Sequence, residues 1–84
     1  MTNREIKIAR ALLDVMHNLD GGQAGEIALH AEVNLIVPCS ATELSAVLQI
    51  ADHNKWVTGV TSRFAGKMKY NINDAGEAAR LEMV

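Results

Sequence analysis

The sequence predicts an α+β fold in which three helices are followed by a β-hairpin and a fourth helix. Two observations carry this prediction. Apolar residues recur at three- and four-residue steps, the period of a helix, up to about residue 54, and the pattern then changes to the alternation of strands. The glycines and the single proline, Pro38, divide the chain between these segments. A chain of 84 residues is long enough for one domain, which we predict to span 1–84.

The first helix is predicted over residues 3–19. Thr2 or Asn3 is expected to cap its start, with Glu5 in the first turn. The glycine pair at 21–22 ends it, because glycine readily adopts the left-handed conformation of a helix end. The apolar residues of this segment predict one broad buried face, formed by Ile6, Ile8, Ala9, Leu12, Leu13, Val15, Met16 and Leu19.

The second helix is shorter and is predicted over residues 24–35. We expect Ile27, Leu29 and Val33 to be among its apolar contacts. Pro38 ends it, since proline cannot continue a helix and pushes the preceding residue into an extended conformation.

The third helix is predicted to follow at once, over residues 40–55. Ser40 and Glu43 have the spacing of a capping box, in which each side chain accepts a hydrogen bond from the other residue's backbone N–H. Apolar residues at i, i+3, i+4 and i+7 then predict one buried face, formed by Leu44, Val47, Leu48 and Ala51.

A β-hairpin is predicted over residues 56–72. The first strand, 56–61, is rich in β-branched side chains, and residues 62–66 form the turn. In the second strand, 67–72, polar and apolar residues alternate. This alternation predicts that three side chains face inward: Met68, Tyr70 and Ile72.

Both ends of the hairpin are expected to meet the core. Trp56 lies at a helix–strand junction, where a core position is more typical than stacking on a nucleobase. Asn73 and Asp74 are expected to cap a last helix that extends to about Met83. Three of its residues are available for packing: Ala78, Ala79 and Leu81.

Composition narrows the class of protein. Hydrophobic residues make up 49% of the chain and the formal charge is −2, which excludes a disordered tail. No stretch approaches the roughly 20 apolar residues of a membrane span. The first residues lack the continuous apolar segment of a signal peptide, so we expect a cytoplasmic protein that does not contact membranes.

No catalytic, metal or cofactor site is predicted, and we expect the protein not to be an enzyme. Cys39, His30 and Asp52 include the chemical types of a nucleophile, a base and an orienting acid, but no motif places them together. The three histidines show no metal-ligand spacing. Cys39 precedes a helix, where a thiol pKa is lowered, so a redox-sensing role and a buried structural role both stay open.

The order helix, helix, helix, strand, turn, strand, helix resembles the winged-helix (winged helix-turn-helix) DNA-binding domains of prokaryotic transcription regulators. The resemblance covers nearly the whole chain and is carried by the order of elements. Three segments carry it: the helix broken at 37–38, the capped helix at 40–55 and the hairpin that closes in Tyr70-Asn71-Ile72-Asn73. It implies a transcription regulator that acts as a homodimer.

In winged-helix domains, the helix that matches residues 40–55 enters the major groove of double-stranded DNA, and the hairpin contacts the backbone or the minor groove. By this resemblance, Gln49 would bond an adenine edge and Ser45 a base or a phosphate. The implied DNA-binding residues are Thr42, Ser45, Gln49 and His53 on the helix and Arg63, Lys67 and Lys69 on the hairpin.

The charge distribution supports a basic hairpin. Residues 1–54 hold 3 basic and 7 acidic side chains, whereas residues 55–84 hold 5 basic and 3 acidic ones. The first helix adds Arg4, Lys7 and Arg10, which could extend the basic surface. The hairpin lysines equally fit the solvent side of an edge strand, where lysine discourages aggregation.

A second interpretation is a protein–protein interaction module without DNA binding. The third helix has no Lys or Arg before Lys55 and carries Glu43 and Asp52, which disfavours contact with phosphates. Exposed apolar residues on its outer face and an aromatic at the hairpin tip would suit a protein partner. These possible partner contacts are Ala46, Ile50 and Phe64.

Overall fold

The computed structural model describes residues 1–19, 22–61 and 68–83. Its elements, in chain order, are α1 (Asn3–His17), β1 (Ala24–Gly25), α2 (Glu26–Ile36), α3 (Ala41–His53), β2 (Val57–Thr61), β3 (Met68–Ile72) and α4 (Asp74–Glu82). The predicted α+β class and the order of helices and hairpin strands are confirmed. The short strand β1 was not predicted.

Capping side chains fix the starts of α1 and α3. Thr2 caps α1, where its hydroxyl accepts from the Glu5 N–H at 3.1 Å and the Glu5 carboxylate accepts from the Thr2 N–H at 2.9 Å. Ser40 and Glu43 exchange the same two bonds at the start of α3, each at 3.1 Å. The two capping boxes satisfy backbone donors that a helix start leaves free, so these boundaries follow from local sequence.

The sheet has three antiparallel strands in the order β1-β3-β2. Strand β3 pairs with β2 in the predicted hairpin, and its other edge pairs with β1 through Ala24 opposite Tyr70 and Gly25 opposite Lys69. Helix α2 consequently begins at Glu26 and not at the predicted Ala24, since the two residues before it have extended backbone bonded to β3.

The core lies between the three N-terminal helices and is closed by the sheet and by α4. It contains the predicted face of α3, together with Leu29 and Val33 of α2, Val57 of β2 and Ala79 of α4. Most of the predicted face of α1 is also buried, but Ile6 is 38% exposed, and Val15 and Leu19 are only partly buried. Trp56 is half-buried and packs against this core. Among the described residues, no polar or charged residue is fully buried.

Several residues predicted to pack are exposed. On α2, Ile27 leaves 82% of its surface accessible, because the helix meets α1 and α3 through the opposite side. On β3, Met68 lies near the hairpin end and is exposed, whereas Tyr70 and Ile72 are half-buried as expected. On α4, Ala79 is buried, but Leu81 is 66% exposed and Ala78 is also exposed.

Helix α4 packs through a narrow contact, and Gly76 explains its geometry. The Asn73 side chain caps α4 by accepting from the Gly76 N–H at 2.9 Å. A Cβ at Gly76 would lie 2.1 Å from the Trp56 carbonyl oxygen, so only glycine permits this approach. Two contacts then tie α4 to α1: a hydrogen bond between His17 Nδ1 and the Glu77 carboxylate at 2.7 Å, and an ion pair between Arg80 and Asp14 at 3.4 Å.

In the described ranges, no single helix is both long and apolar enough to cross a membrane. Helices α2 and α3 meet the length and composition criteria only when taken together, and they are bent by 107° where they join.

Candidate nucleic-acid interface

Helix α3 buries one face and leaves the opposite face uncovered. The predicted buried residues, Leu44, Val47, Leu48 and Ala51, all lie in the core. Of the six residues predicted to face outward, Thr42, Ala46, Gln49 and His53 are exposed, and Ser45 and Ile50 are partly exposed. Ile50 is therefore less accessible than predicted, and the outer face is mainly polar.

A salt bridge anchors the start of α3 to α1. The Arg4 guanidinium donates to the Glu43 carboxylate and also to the Pro38 carbonyl oxygen, the latter at 3.0 Å. The hydrogen bond from Arg4, with those from the Ser40 backbone and side chain, lowers the pKa of Glu43 to about 2. Arg4 is thus engaged within the fold, and the predicted basic row on α1 is reduced to Lys7 and Arg10, both exposed.

The turn before α3 is held by side chains of α2. The His30 ring nitrogen Nε2 lies 2.7 Å from the Cys39 carbonyl oxygen, and the Cys39 N–H donates to the Asn34 side chain at 2.9 Å. The thiol is partly buried, and this burial raises its pKa. The sequence-based expectation of a lowered pKa is therefore wrong, because burial of the thiol and the nearby Glu43 carboxylate both disfavour the thiolate.

Cys39, His30 and Asp52, the residues with the chemistry of a nucleophile, a base and an orienting acid, do not come together in one site. His30 contacts the backbone of Cys39, but Asp52 is near the far end of α3. At 1.5 Å per residue, about 20 Å of helix separates Asp52 from Cys39. In the ranges 1–19, 22–61 and 68–83, no three His, Cys, Asp or Glu side chains are grouped so that they could hold a metal ion.

The end of α3 places a lysine in a strained conformation. Lys55 has φ +61°, and it is the one non-glycine residue with positive φ in the described ranges. The Trp56 N–H donates to the Ala51 carbonyl at 2.9 Å and the Lys55 N–H to the Asp52 carbonyl at 3.0 Å, which is the Schellman ending that glycine usually serves. Lysine here costs roughly 1–2 kcal/mol of backbone strain.

Sequence reasoning did not include Lys55 among the site residues. A signal was present, because the segment after α3 contains a turn but no glycine until Gly59, so a residue with a side chain had to adopt the left-handed conformation. The consequence is an exposed cation where α3 passes into the hairpin.

A groove of about 250 Å³ separates the outer face of α3 from β3. Ser45 and Gln49, the predicted base-contacting residues, line it together with Tyr70 of β3. Two carboxylates, Glu26 and Asp52, line the same groove. Burial raises the pKa of the Tyr70 hydroxyl, and the two neighbouring carboxylates raise it further. The groove therefore carries negative charge, and no Lys or Arg of the described ranges lines it.

The hairpin contributes one described basic residue. Lys69 is exposed on β3, opposite Val60 of β2 and on the other face of the sheet from Tyr70. Three predicted contacts, Arg63, Phe64 and Lys67, lie outside the described residues, and their roles stay predictions.

The described site therefore joins the outer face of α3, Lys55 at its end and Lys69 on the adjoining strand. Comparison with known proteins identifies no relative: no family model matches the chain, and no curated protein has a similar sequence.

Proposed function

We propose that this protein is a small winged-helix regulator that binds double-stranded DNA as a homodimer, with α3 in the major groove and the hairpin on the backbone. The observation that carries the proposal is the uncovered outer face of α3, which presents short polar side chains next to the hairpin. An exposed helix of 13 residues has the width and length that the major groove admits.

In this proposal, the polar residues at the centre of the interface read bases. Gln49 has the donor and acceptor pair that adenine presents, and Ser45 can bond a base or a phosphate. Asp52 has a further use at this position, since a carboxylate accepts from the amino group of cytosine. The negative groove then favours sequence readout over general phosphate binding.

In this proposal, the phosphates are contacted by basic residues outside the groove. Lys55 is exposed at the end of α3, and Lys69 is exposed on the face of β3 opposite Tyr70. Lys67 and Arg63 extend the basic hairpin in the sequence. The strained conformation of Lys55 supports this role, because strain is retained where a side chain has a task that glycine cannot perform. Few phosphate contacts imply modest affinity per protomer, and a dimer would double the number of contacts.

The test is fluorescence anisotropy with generic duplex DNA at low salt. The double variant Lys67→Glu/Lys69→Glu should weaken binding to every sequence, whereas Gln49→Ala should mainly relax sequence preference. For Lys69→Glu alone, the matched control is Ala75→Glu/Ala78→Glu, which lowers the net charge by the same two units at exposed positions of α4 and should have a much smaller effect. If binding is absent at low salt, or if Ala75→Glu/Ala78→Glu weakens it as much as Lys69→Glu does, the proposed interface is wrong.

A protein–protein interaction module is the second candidate function, favoured by the negative groove between α3 and β3. Glu26 and Asp52 would repel phosphates and attract a basic protein segment, while Ala46 and Ile50 offer apolar contact beside them. This candidate predicts that Ile50→Asp disrupts an assembly without unfolding the protein, and that duplex DNA is not bound. A DNA complex that Gln49→Ala alters would contradict it.

A further inference from the structure

Helix α2 leaves large apolar side chains uncovered on the side away from the core. Leu29 and Val33 are fully buried, yet Ile27 and Leu35 are each about 80% exposed, and Ile36 is also exposed. Three polar residues are exposed beside them: Glu26, Glu32 and Asn34. Large apolar side chains that lie together on a surface mark a contact site more often than polar ones do. The described chain covers only one side of α2, so its outer surface is a candidate contact surface.

Two grooves flank this surface and make it a ridge. One groove, of about 560 Å³, lies between α1 and α2, and Val15 and Leu19 line its far side. The other, of about 600 Å³, lies between α2 and β3, and Met68 and Tyr70 line its far side. Residues of α3 line neither groove in the described ranges, but Glu26 and Tyr70 line both the second groove and the groove beside α3, so the two surfaces adjoin at these residues.

The arrangement of side chains on the ridge is symmetric about its centre. Ala31 is the middle residue of Glu26–Ile36, it is exposed, and it lines both grooves. Ile27 and Leu35 stand four residues before and after it, which places them on the same helical face. A small residue at the crossing point permits close helix–helix approach, and a large apolar residue stands on each side of it.

This symmetry fits a second copy of the same chain. A two-fold axis through Ala31 sets the two α2 helices antiparallel and brings Ile27 of one protomer against Leu35 of its partner, twice. Each ridge then enters a groove of the other protomer, which is the usual mode of helix packing.

The charges at the two ends of α2 are complementary in the same arrangement. Glu26 is exposed at the start of the helix. At the other end, Lys7 and Arg10 of α1 line a shallow pocket with Ile36 and Val37. Asp14 also lines this pocket, and its carboxylate is paired with Arg80 at 3.4 Å. An antiparallel pair therefore brings each carboxylate toward the two cations of the partner, whereas a parallel pair would bring like charges together.

We propose that the outer face of α2 is the seam of a two-fold homodimer, in which the two α2 helices cross antiparallel at Ala31. This inference locates the interface of the homodimer within the proposed function, but it does not depend on DNA binding.

The test is sedimentation velocity of the full chain from micromolar to millimolar concentration. The wild type should show reversible dimerisation, and Leu35→Asp should raise the dimer dissociation constant by about tenfold or more. Leu81→Asp is the matched control, because Leu81 is also an exposed leucine in the last turn of a helix. Circular dichroism of both variants confirms that the fold is intact.

Two charge reversals test the antiparallel orientation. Arg10→Glu and Glu26→Arg should each weaken the dimer, because each homodimer then has repulsion at both ends. A mixture of the two variants should form heterodimers more strongly than either forms homodimers, since both ends of the mixed pair attract. No restoration in the mixture would overturn the antiparallel arrangement.

The remaining outcomes separate this inference from DNA binding. A wild type that stays monomeric at every concentration overturns the seam, even if it binds DNA. Dissociation by Leu81→Asp in place of Leu35→Asp also overturns it and moves the interface to α4. A dimer that Leu35→Asp dissociates but that binds no DNA supports the seam and counts against the proposed function.

Discussion

Helices α2 and α3 are consecutive and similar in length, at 11 and 13 residues, but they leave different surfaces uncovered. Helix α3 buries Leu44, Val47, Leu48 and Ala51 and leaves a mainly polar face outside. Helix α2 buries only Leu29 and Val33 and leaves Ile27 and Leu35 outside. The buried faces explain how the chain folds, and the uncovered faces are the surfaces that we propose to bind partners.

The largest expected effect is the difference in stability loss between a substitution on the buried side of α2 and one on its exposed side. Leu29→Ala should lower the free energy of unfolding by about 2–5 kcal/mol, because Leu29 is fully buried in the core. Leu35→Ala should change it by less than about 0.5 kcal/mol, since that side chain has no core contact to lose. Urea denaturation at low protein concentration, where monomers dominate, measures both. Equal losses would mean that the outer face of α2 is part of the core.

The next largest effect on stability is expected from substitutions at the starts of α3 and α2, of which only α3 has a side-chain cap. Ser40→Ala removes the hydroxyl that caps α3 and should cost about 1 kcal/mol in urea denaturation. Helix α2 begins at Gly25 without a side-chain cap, so Gly25→Ser should add a few tenths of a kcal/mol. If Gly25→Ser lowers the free energy of unfolding, the pairing of β1 with β3, and not the missing cap, determines which residue is most stable at this position.

A somewhat smaller effect is expected at the end of α3. Lys55→Gly should raise the free energy of unfolding by up to about 1 kcal/mol, because glycine adopts the left-handed conformation without strain. The same variant should weaken DNA binding, measured by anisotropy, since it removes a proposed phosphate contact. Improved stability with unchanged DNA affinity would remove Lys55 from the interface.

The smallest effect concerns the pH dependence of the contact between α1 and α3. The folded pKa of Glu43, about 2, lies below its ordinary value of 4.5, so its contribution to stability is complete above that value. The contribution is lost as pH falls from about 4.5 toward 2. Glu43→Gln should therefore show a shallower loss of stability across this interval in thermal melts at a series of pH values. An unchanged slope would mean that the Arg4 pair does not persist in solution.

Features set by neighbouring residues could be predicted from the sequence. The capping boxes at Thr2 and Ser40, the break at Pro38 and the buried face of α3 all follow from spacing within one or two helical turns. The order of elements follows from the change of period near Trp56. The outer residues of α3 were predicted for the same reason, since one buried face determines the opposite one.

Features set by distant contacts could not be predicted. The pairing of residues 24–25 with β3 brings together segments more than 40 residues apart, and it shortens α2 at its start. The exposure of Ile27 depends on which side of α2 meets α1, which an apolar helix does not specify. The negative groove likewise arises because Glu26 and Asp52 converge on Tyr70 from two helices.

If α3 and the hairpin bind DNA through a few phosphate contacts, as proposed, the affinity for a generic duplex must fall as salt rises. The logarithm of the association constant should fall linearly with the logarithm of salt concentration, with a slope of about −0.9 per phosphate contacted. Lys55→Gly and Lys69→Glu should each reduce that slope by about 1. No binding at low salt, or a slope that neither variant changes, would show that these residues do not form a DNA interface.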